Sequence, residues 1–287
     1  MASVAVDKED TTWFGTDGFE PGLWSLRDGH ATRLTHTRKP PRVLLDAAGG
    51  LWVGSPDEGL HRLRDGHLKP VAGLETGHAV PIRAVGDSVW VARGRNQLIA
   101  FDSRTGERIR AVTIPGDATV RDVLDAEDVL WLATYGEGLF RVGPSGQVQS
   151  VTQDDGLCEN MVSRILRTDD GRWWLNGNLG LSVVSEEDLR GQLAGARSDV
   201  RCQLVETGEG NGPGGVHGKD DLLYLPTIGG LAVMDPKHIP TDAPPARVQL
   251  RSAVLDGRAL LDGESPEPGQ GNLQVAFTGF DYRNPLA

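Results

Sequence analysis

The sequence predicts an all-β chain folded as a β-propeller, and three observations carry that prediction. Aromatic residues, nearly all tryptophan, recur inside short apolar strands at intervals near forty residues. Each follows an apolar strand and a polar turn built on Asp or Gly. Each precedes a second hairpin that, in all copies but the third, leaves through Gly-Leu.

The anchors come in order along the chain. They are Trp13 in Trp13-Phe14-Gly15-Thr16, Trp52 in Leu51-Trp52-Val53-Gly54, and Trp90 in Val89-Trp90-Val91-Ala92. Trp131 follows in Leu130-Trp131-Leu132-Ala133, then Trp174 in Trp173-Trp174-Leu175-Asn176. A sixth copy, Leu223-Tyr224-Leu225-Pro226, places Tyr224 at the anchor. The intervals are 39, 38, 41, 43 and 50 residues, the length of one four-stranded blade. The expected blades lie near residues 1–39, 40–79, 80–117, 118–158, 159–205 and 206–241.

Within each copy the turns explain the hairpins. Asp46-Ala47-Ala48-Gly49-Gly50 and Thr168-Asp169-Asp170-Gly171 offer the left-handed conformations that tight turns demand. Gly-Leu marks the exit of the second hairpin at Gly22-Leu23, Gly59-Leu60, Gly138-Leu139, Gly180-Leu181 and Gly230-Leu231. The third copy departs, with Gln97-Leu98. Arg27-Asp28-Gly29-His30 and Arg64-Asp65-Gly66-His67 supply a third turn, so four strands and three hairpins are expected per copy. One such meander cannot bury both faces alone. Stacked around an axis, each copy covers the next, and a large flat indole suits the layer between two twisted sheets.

Composition bounds the class. Of 287 residues, 38 are Gly and 17 are Pro, which fits a chain full of turns. The net charge is −11 with no long basic run, which argues against a nucleic-acid partner. No apolar run of eighteen residues exists to span a membrane as a helix. Cys158 and Cys202 show neither zinc spacing nor a C-x-x-C pattern, and read as two buried thiols or one disulfide. Met1-Ala2-Ser3-Val4-Ala5-Val6-Asp7 lacks the basic start and apolar core of a signal peptide and already reads as a strand. The far end stops just after a strand, so both ends read as cuts in a longer protein.

Past the sixth copy the texture changes. Pro240, Pro244 and Pro245 predict a stiff connector, followed by alternating strands over 248–255 and 273–280. A partial β-sandwich segment is therefore expected over 242–287, after a propeller over 1–241.

The repeat resembles the two-component regulator propeller family. The pattern is apolar-x-x-apolar, a turn, Leu-Trp-Val-Gly and Gly-Leu, clearest over 43–63 and 162–184. Asp155-Gly156-Leu157 with Asn160 is similar to that family's lead-in to a blade. Residues 244–248 and 272–282, through Asp281 and Tyr282, resemble the start of the Y_Y_Y domain that follows such propellers. The resemblance implies a periplasmic sensing region of a membrane-anchored histidine kinase, hybrid kinase or diguanylate cyclase. It implies a seven-bladed ring, of which six blades are visible here. It also implies a small-molecule or glycan ligand, a membrane-anchored output domain elsewhere in the parent chain, and a homodimeric parent protein.

Catalytic motifs are absent from the sequence: no G-x-S-x-G, H-E-x-x-H or Walker loop occurs, and no cofactor or metal site is expected. The seven histidines do not pair at metal-ligand spacing, and His30 and His67 fall at matching turn positions. The glycine-rich stretch 208–215 reads as a loop, because a strand rather than a helix follows it. Arginine is more informative. Arg42, Arg121 and Arg164 each lie ten residues before an anchor, and Arg83 lies seven before Trp90. These positions open the innermost strand, so the four could ring the channel mouth and receive an anion. The competing expectation is that they stack on neighbouring blades or pair with Asp46, Asp122 and Asp125. A docking scaffold and a lyase or hydrolase stand as alternative functions, the last requiring His78, His217 and a carboxylate such as Glu159 to converge.

Overall fold

The computed structural model describes residues 3–18, 20–126, 129–205, 214–239, 247–260 and 271–280. Gly208–Pro213, the connector prolines Pro240, Pro244 and Pro245, and Asp281 and Tyr282 lie outside the described residues. The chain divides into two compact units, Met1–His238 and Ile239–Ala287.

The first unit is a β-propeller of six successive antiparallel sheets. Blade one is β1 (Ser3–Val6), β2 (Thr12–Thr16), β3 (Gly22–Arg27) and β4 (His30–His36). Blade two is β5 (Arg42–Leu45), β6 (Leu51–Ser55), β7 (Gly59–Arg64) and β8 (His67–Pro70). Blade three is β9 (Ala79–Val85), β10 (Ser88–Arg93), β11 (Gln97–Asp102) and β12 (Arg108–Thr113). A single pairing of Ser55 with Ala79 joins blades two and three at one edge. Blade four is β13 (Thr119–Ala126), β14 (Val129–Tyr135), β15 (Leu139–Val142) and β16 (Val148–Val151).

The last two copies depart from the expected four-strand meander. Blade five has β17 (Val162–Arg167), β18 (Arg172–Gly177) and β19 (Gly180–Ser185), then a helix, α1 (Glu186–Leu193), before β20 (Gln203–Val205) closes the sheet. Ser185 caps that helix by accepting from the Asp188 amide, and three acids fill its first turn. Blade six has three strands among the described residues, β21 (Val216–His217), β22 (Leu223–Thr227) and β23 (Gly230–Met234). The second unit is a three-stranded antiparallel sheet in the order β25 (Arg258–Ala259), β24 (Arg247–Leu255), β26 (Leu273–Phe280).

The core lies between blades. Trp52 packs with Val89, Val91, Ile99 and Phe101 of the next blade, and Trp90 with Leu130 and Leu132 of the one after. Trp131 meets Trp173 edge-on, with ring centroids 4.8 Å apart. Alternation of side chains along each second strand thus gives each sheet two apolar faces, one per neighbour. Trp13 and Tyr224, the first and last anchors, are half-buried.

Two glycines show why the repeat needs them. A Cβ on Gly54 would lie 2.3 Å from the Ala79 carbonyl oxygen, so a side chain there would push away the first strand of the next blade. Gly59, in the Gly-Leu exit, sits at φ +76°, and a Cβ there would lie 2.2 Å from the Leu74 carbonyl oxygen.

A further regularity links turn to anchor. Asp46 accepts from the Ala48 and Gly50 amides and, with its other oxygen, from the Trp52 indole at 2.9 Å. Asp7 serves Trp13 in the same way at 2.8 Å, and Thr168 serves Trp174 at 3.1 Å. In each case the turn residue stands six before the indole. Blade three has Ala84 at that position, and the Trp90 indole nitrogen is buried with no partner among the described residues. Cys158 and Cys202 form a disulfide, which settles the choice between thiols and a bridge.

Candidate functional site

The first strands of successive blades lie side by side around the propeller axis, β5 beside β9, β9 beside β13 and β13 beside β17. That arrangement carries all four arginines to one place, because each sits on a first strand. At their centre is Asp122, whose side chain is fully enclosed. Arg83 Nη2 donates to Asp122 Oδ2 at 2.7 Å and to the Ile165 carbonyl oxygen at 2.9 Å. The Ile165 amide donates to the same Asp122 Oδ2 at 2.8 Å. Arg164 Nη1 donates to Asp122 Oδ1 at 3.3 Å, and its Nε to the Gly215 carbonyl oxygen at 3.1 Å. One carboxylate in blade four therefore ties together blades three, four and five, and Arg164 extends the network to Gly215 beside β21 of blade six.

Arg42 and Arg121 are placed differently. Among the described residues neither makes a hydrogen bond or an ion pair with a carboxylate. Arg121 lies over the Tyr135 ring, 5.3 Å from its centroid, and its Nε, like that of Arg83, is buried without a partner among the described residues. Burial disfavours the charged form of Arg42, and the nearby Arg121 and Arg164 add to that, with Asp122 opposing. Burial likewise lowers the Arg83 pKa, although Asp122 opposes it. His78, at the start of blade three, has its Nδ1 buried without a partner among the described residues. Burial, then repulsion from Arg121 and Arg42, pushes its imidazole below the usual range.

The equal ten-residue spacing of Arg42, Arg121 and Arg164 does not translate into equal register. Arg42 pairs with Gly54 and Arg164 with Asn176, each two residues past its anchor. In blade four the corresponding partner, Ala133, faces Asp122, and Arg121 is the extra residue of a bulge between Val120 and Asp122. The blade-four hairpin is one residue shorter, as Leu124 pairs with Trp131 seven positions away whereas Leu44 pairs with Trp52 eight away. A bulge re-aims one side chain, and here it frees Arg121 from the position that Asp122 takes. Asp122 was visible in the sequence only as a partner for the arginines; it lies nine rather than ten residues before its anchor, and only the bulge brings it into register with Arg42 and Arg164. Asp46 is no partner of this group: it serves Trp52 and lies 3.8 Å from Arg62, whose guanidinium covers the same indole.

The residues that a propeller enzyme would need are engaged elsewhere. Glu159 accepts from the Asn178 and Leu179 amides, His217 faces Asp221 at 4.0 Å, and His78 lies beside the arginines. Among the described residues no cluster of three metal-ligating side chains is present. No described helix is long and apolar enough to cross a membrane.

The fold and this channel define the chain as an all-β propeller with an arginine-rich axis. No family model matches it, and no curated protein matches it by sequence. Among solved structures it is similar to the extracellular domain of the hybrid two-component system BT3049 from B. thetaiotaomicron, at 19% identity and a TM-score of 0.58. That likeness covers 93% of this chain and 43% of the other, so the chain spans less than half of that domain. It is also similar to the WD40 β-propeller domain of Doa1, at 16% identity and a TM-score of 0.54, covering 81% of each. A third likeness is to hydrazine synthase from Kuenenia stuttgartiensis, at 11% identity and a TM-score of 0.61, over 81% of this chain and 82% of that one. At these identities the likenesses show the fold.

Proposed function

We propose that the chain is the extracytoplasmic ligand-sensing portion of a membrane-anchored signalling protein, and that it takes an anionic small molecule or glycan in the propeller channel. The observation that carries the reading is a charge imbalance: four arginines sit on neighbouring first strands beside one enclosed carboxylate, which pairs with Arg83 and Arg164. Buried cations without partners are costly, and a bound anion removes that cost. Arginine suits the task because its planar donors match carboxylates, sulfates and phosphates. Two further observations support the location. The Cys158–Cys202 bridge belongs in an oxidising compartment, and the BT3049 likeness is to an extracellular domain.

On this reading the propeller belongs to the two-component regulator propeller family, and the sheet of β24, β25 and β26 begins a Y_Y_Y-type module. An output domain, kinase or cyclase, and a homodimeric parent complete the proposal. A docking scaffold is the second reading, favoured by the exposed Leu179 and Ile228 in the loops after β18 and β22.

Thermal-shift screening of the intact chain against uronic acids, di- and tricarboxylates, sulfate and phosphate, each beside its neutral counterpart, tests the reading. Stabilisation by at least one anion and by no neutral counterpart is expected. Equal response to charged and neutral compounds would count against it.

A further inference from the structure

The hydrogen-bond inventory of the channel separates its arginines into two kinds. Arg83 and Arg164 are committed, to Asp122 and to the carbonyl oxygens of Ile165 and Gly215. Asp122 in turn is filled, by both arginines and the Ile165 amide. A ligand could recruit these groups only by dismantling a buried network that holds four blades in place.

Arg42 and Arg121 have no such commitments among the described residues, yet both sit on first strands of the channel, where burial disfavours the Arg42 charge. Arg121 is nevertheless held still. Its guanidinium lies on Tyr135, and the Tyr135 hydroxyl accepts from Asn178 Nδ2 at 3.0 Å. The Asn178 and Leu179 amides are tied to Glu159, at 3.1 Å and 2.9 Å. A stacked guanidinium whose support is hydrogen-bonded from behind is prepared for a partner in front. His78 Nδ1, with no hydrogen-bond partner among the described residues, lies within electrostatic reach of both arginines and adds a neutral polar wall.

Resting on the anion reading above, we propose that Arg42 and Arg121, with His78, are the groups that contact the ligand's anionic head, while Arg83 and Arg164 are positioning residues locked by Asp122. The head they fit is a carboxylate, sulfate or phosphate group, bound by paired guanidinium donors. Tyr135, Asn178 and Glu159 form the support that orients Arg121.

The two kinds of arginine differ even in the protein without any ligand. Arg42 is repelled by Arg121 and Arg164, with Asp122 the lesser, opposing charge, so removing the charge of Arg42 or of Arg121 relieves the fold. Removing Arg83 takes the shorter ion pair from Asp122 and the donor from the Ile165 carbonyl, and harms the fold. Urea denaturation of the purified chain should therefore give raised or unchanged midpoints for Arg42→Gln and Arg121→Gln, and a lowered midpoint for Arg83→Gln. Calorimetric titration with sulfate, phosphate, citrate and glucuronate then tests contact. The best of these should bind at least about tenfold more weakly to Arg42→Gln and to Arg121→Gln, the loss expected for one charge-assisted hydrogen bond. Arg104→Gln, at an exposed pair with Asp87, should bind as the unaltered chain does. An unaltered chain that binds an anion while both Arg42→Gln and Arg121→Gln bind it equally well would overturn the division and leave the anion reading standing. Destabilisation by Arg42→Gln or Arg121→Gln as large as that by Arg83→Gln would also overturn it. No binding of any probe to the unaltered chain would overturn both.

Discussion

Arg83 and Asp122, on the first strands of adjacent blades, meet at 2.7 Å with the carboxylate fully enclosed. The pair is 39 residues apart in sequence, one repeat, and it is the hub of the channel. Replacing Asp122 by Ala would leave Arg83 and Arg164 buried without their counter-charge. Loss of one partner of a buried pair costs about 3–5 kcal/mol. Urea denaturation should show that loss, and a change under about 1 kcal/mol would mean the network carries little of the fold.

The indole-to-turn bond predicts a graded series in blade two. Trp52→Ala empties an interior site and should cost about 3–5 kcal/mol. Trp52→Phe keeps most of the volume but strands Asp46 Oδ2, and Asp46→Ala also frees the Ala48 and Gly50 amides. Each should cost about 1–3 kcal/mol, the range for leaving a buried polar group unmade. Equal stability of Trp52→Phe and the unaltered chain would remove the role assigned to the bond.

The Cys158–Cys202 bridge closes a loop of 44 residues that carries α1. Chain entropy puts its contribution at about 4 kcal/mol for a loop of that size. Cys158→Ser with Cys202→Ser, or reduction by dithiothreitol, should lower the melting temperature. Amide exchange should rise first in α1 and β20, and a rise spread evenly over all six blades would contradict that placement.

Acid should weaken the propeller near the pKa of free imidazole. Burial, with Arg121 and Arg42, holds His78 below the ordinary range, with its own backbone and Asp57 opposing. The unfolded chain therefore binds a proton near pH 6.5 while the folded chain does not. Stability is full above that pH, and it falls as pH drops from about 6.5 toward the lower folded value. Burial lowers His61 as well, in the same direction. The urea midpoint should fall between about pH 7 and pH 5.5, and His78→Gln should flatten the fall. A slope identical in both proteins would show that His78 does not titrate as described.

Blade six presents Leu231 and Val233, 64% and 50% exposed, beside the half-buried Tyr224. Apolar sheet faces of this kind promote association. Leu231→Thr with Val233→Thr should reduce self-association in light scattering, with a stability change within about 0.5 kcal/mol. Unchanged association would point to the other open faces, Val4 and Val6 of blade one or Val275 and Phe277 of β26.

Much of the architecture was legible because a repeat writes its own register. Trp52, Trp90, Trp131 and Trp174 fall on second strands, and Asp28 and Asp65 take positive φ in the two Asp-Gly turns. The exceptions have local causes. Blade five carries α1 where spacing alone showed only a long interval, and blade six has three described strands. The edge-on meeting of Trp131 with Trp173 was hidden because Trp173 stands one residue before the anchor and faces the preceding blade.

The sequence by itself determined the kind of sheet, its period and the residues between blades, since alternation and turn chemistry act over a few neighbours. Only the tertiary structure decided what the arginines do. Spacing counts residues along one strand, whereas a one-residue bulge in β13 exchanged Arg121 for Asp122 at the axis. That exchange converted a supposed ring of equal charges into a buried ionic hub and two arginines with no carboxylate bonded to them among the described residues. The difference depends on groups four blades wide meeting at one point, and short-range pattern holds no record of such a meeting.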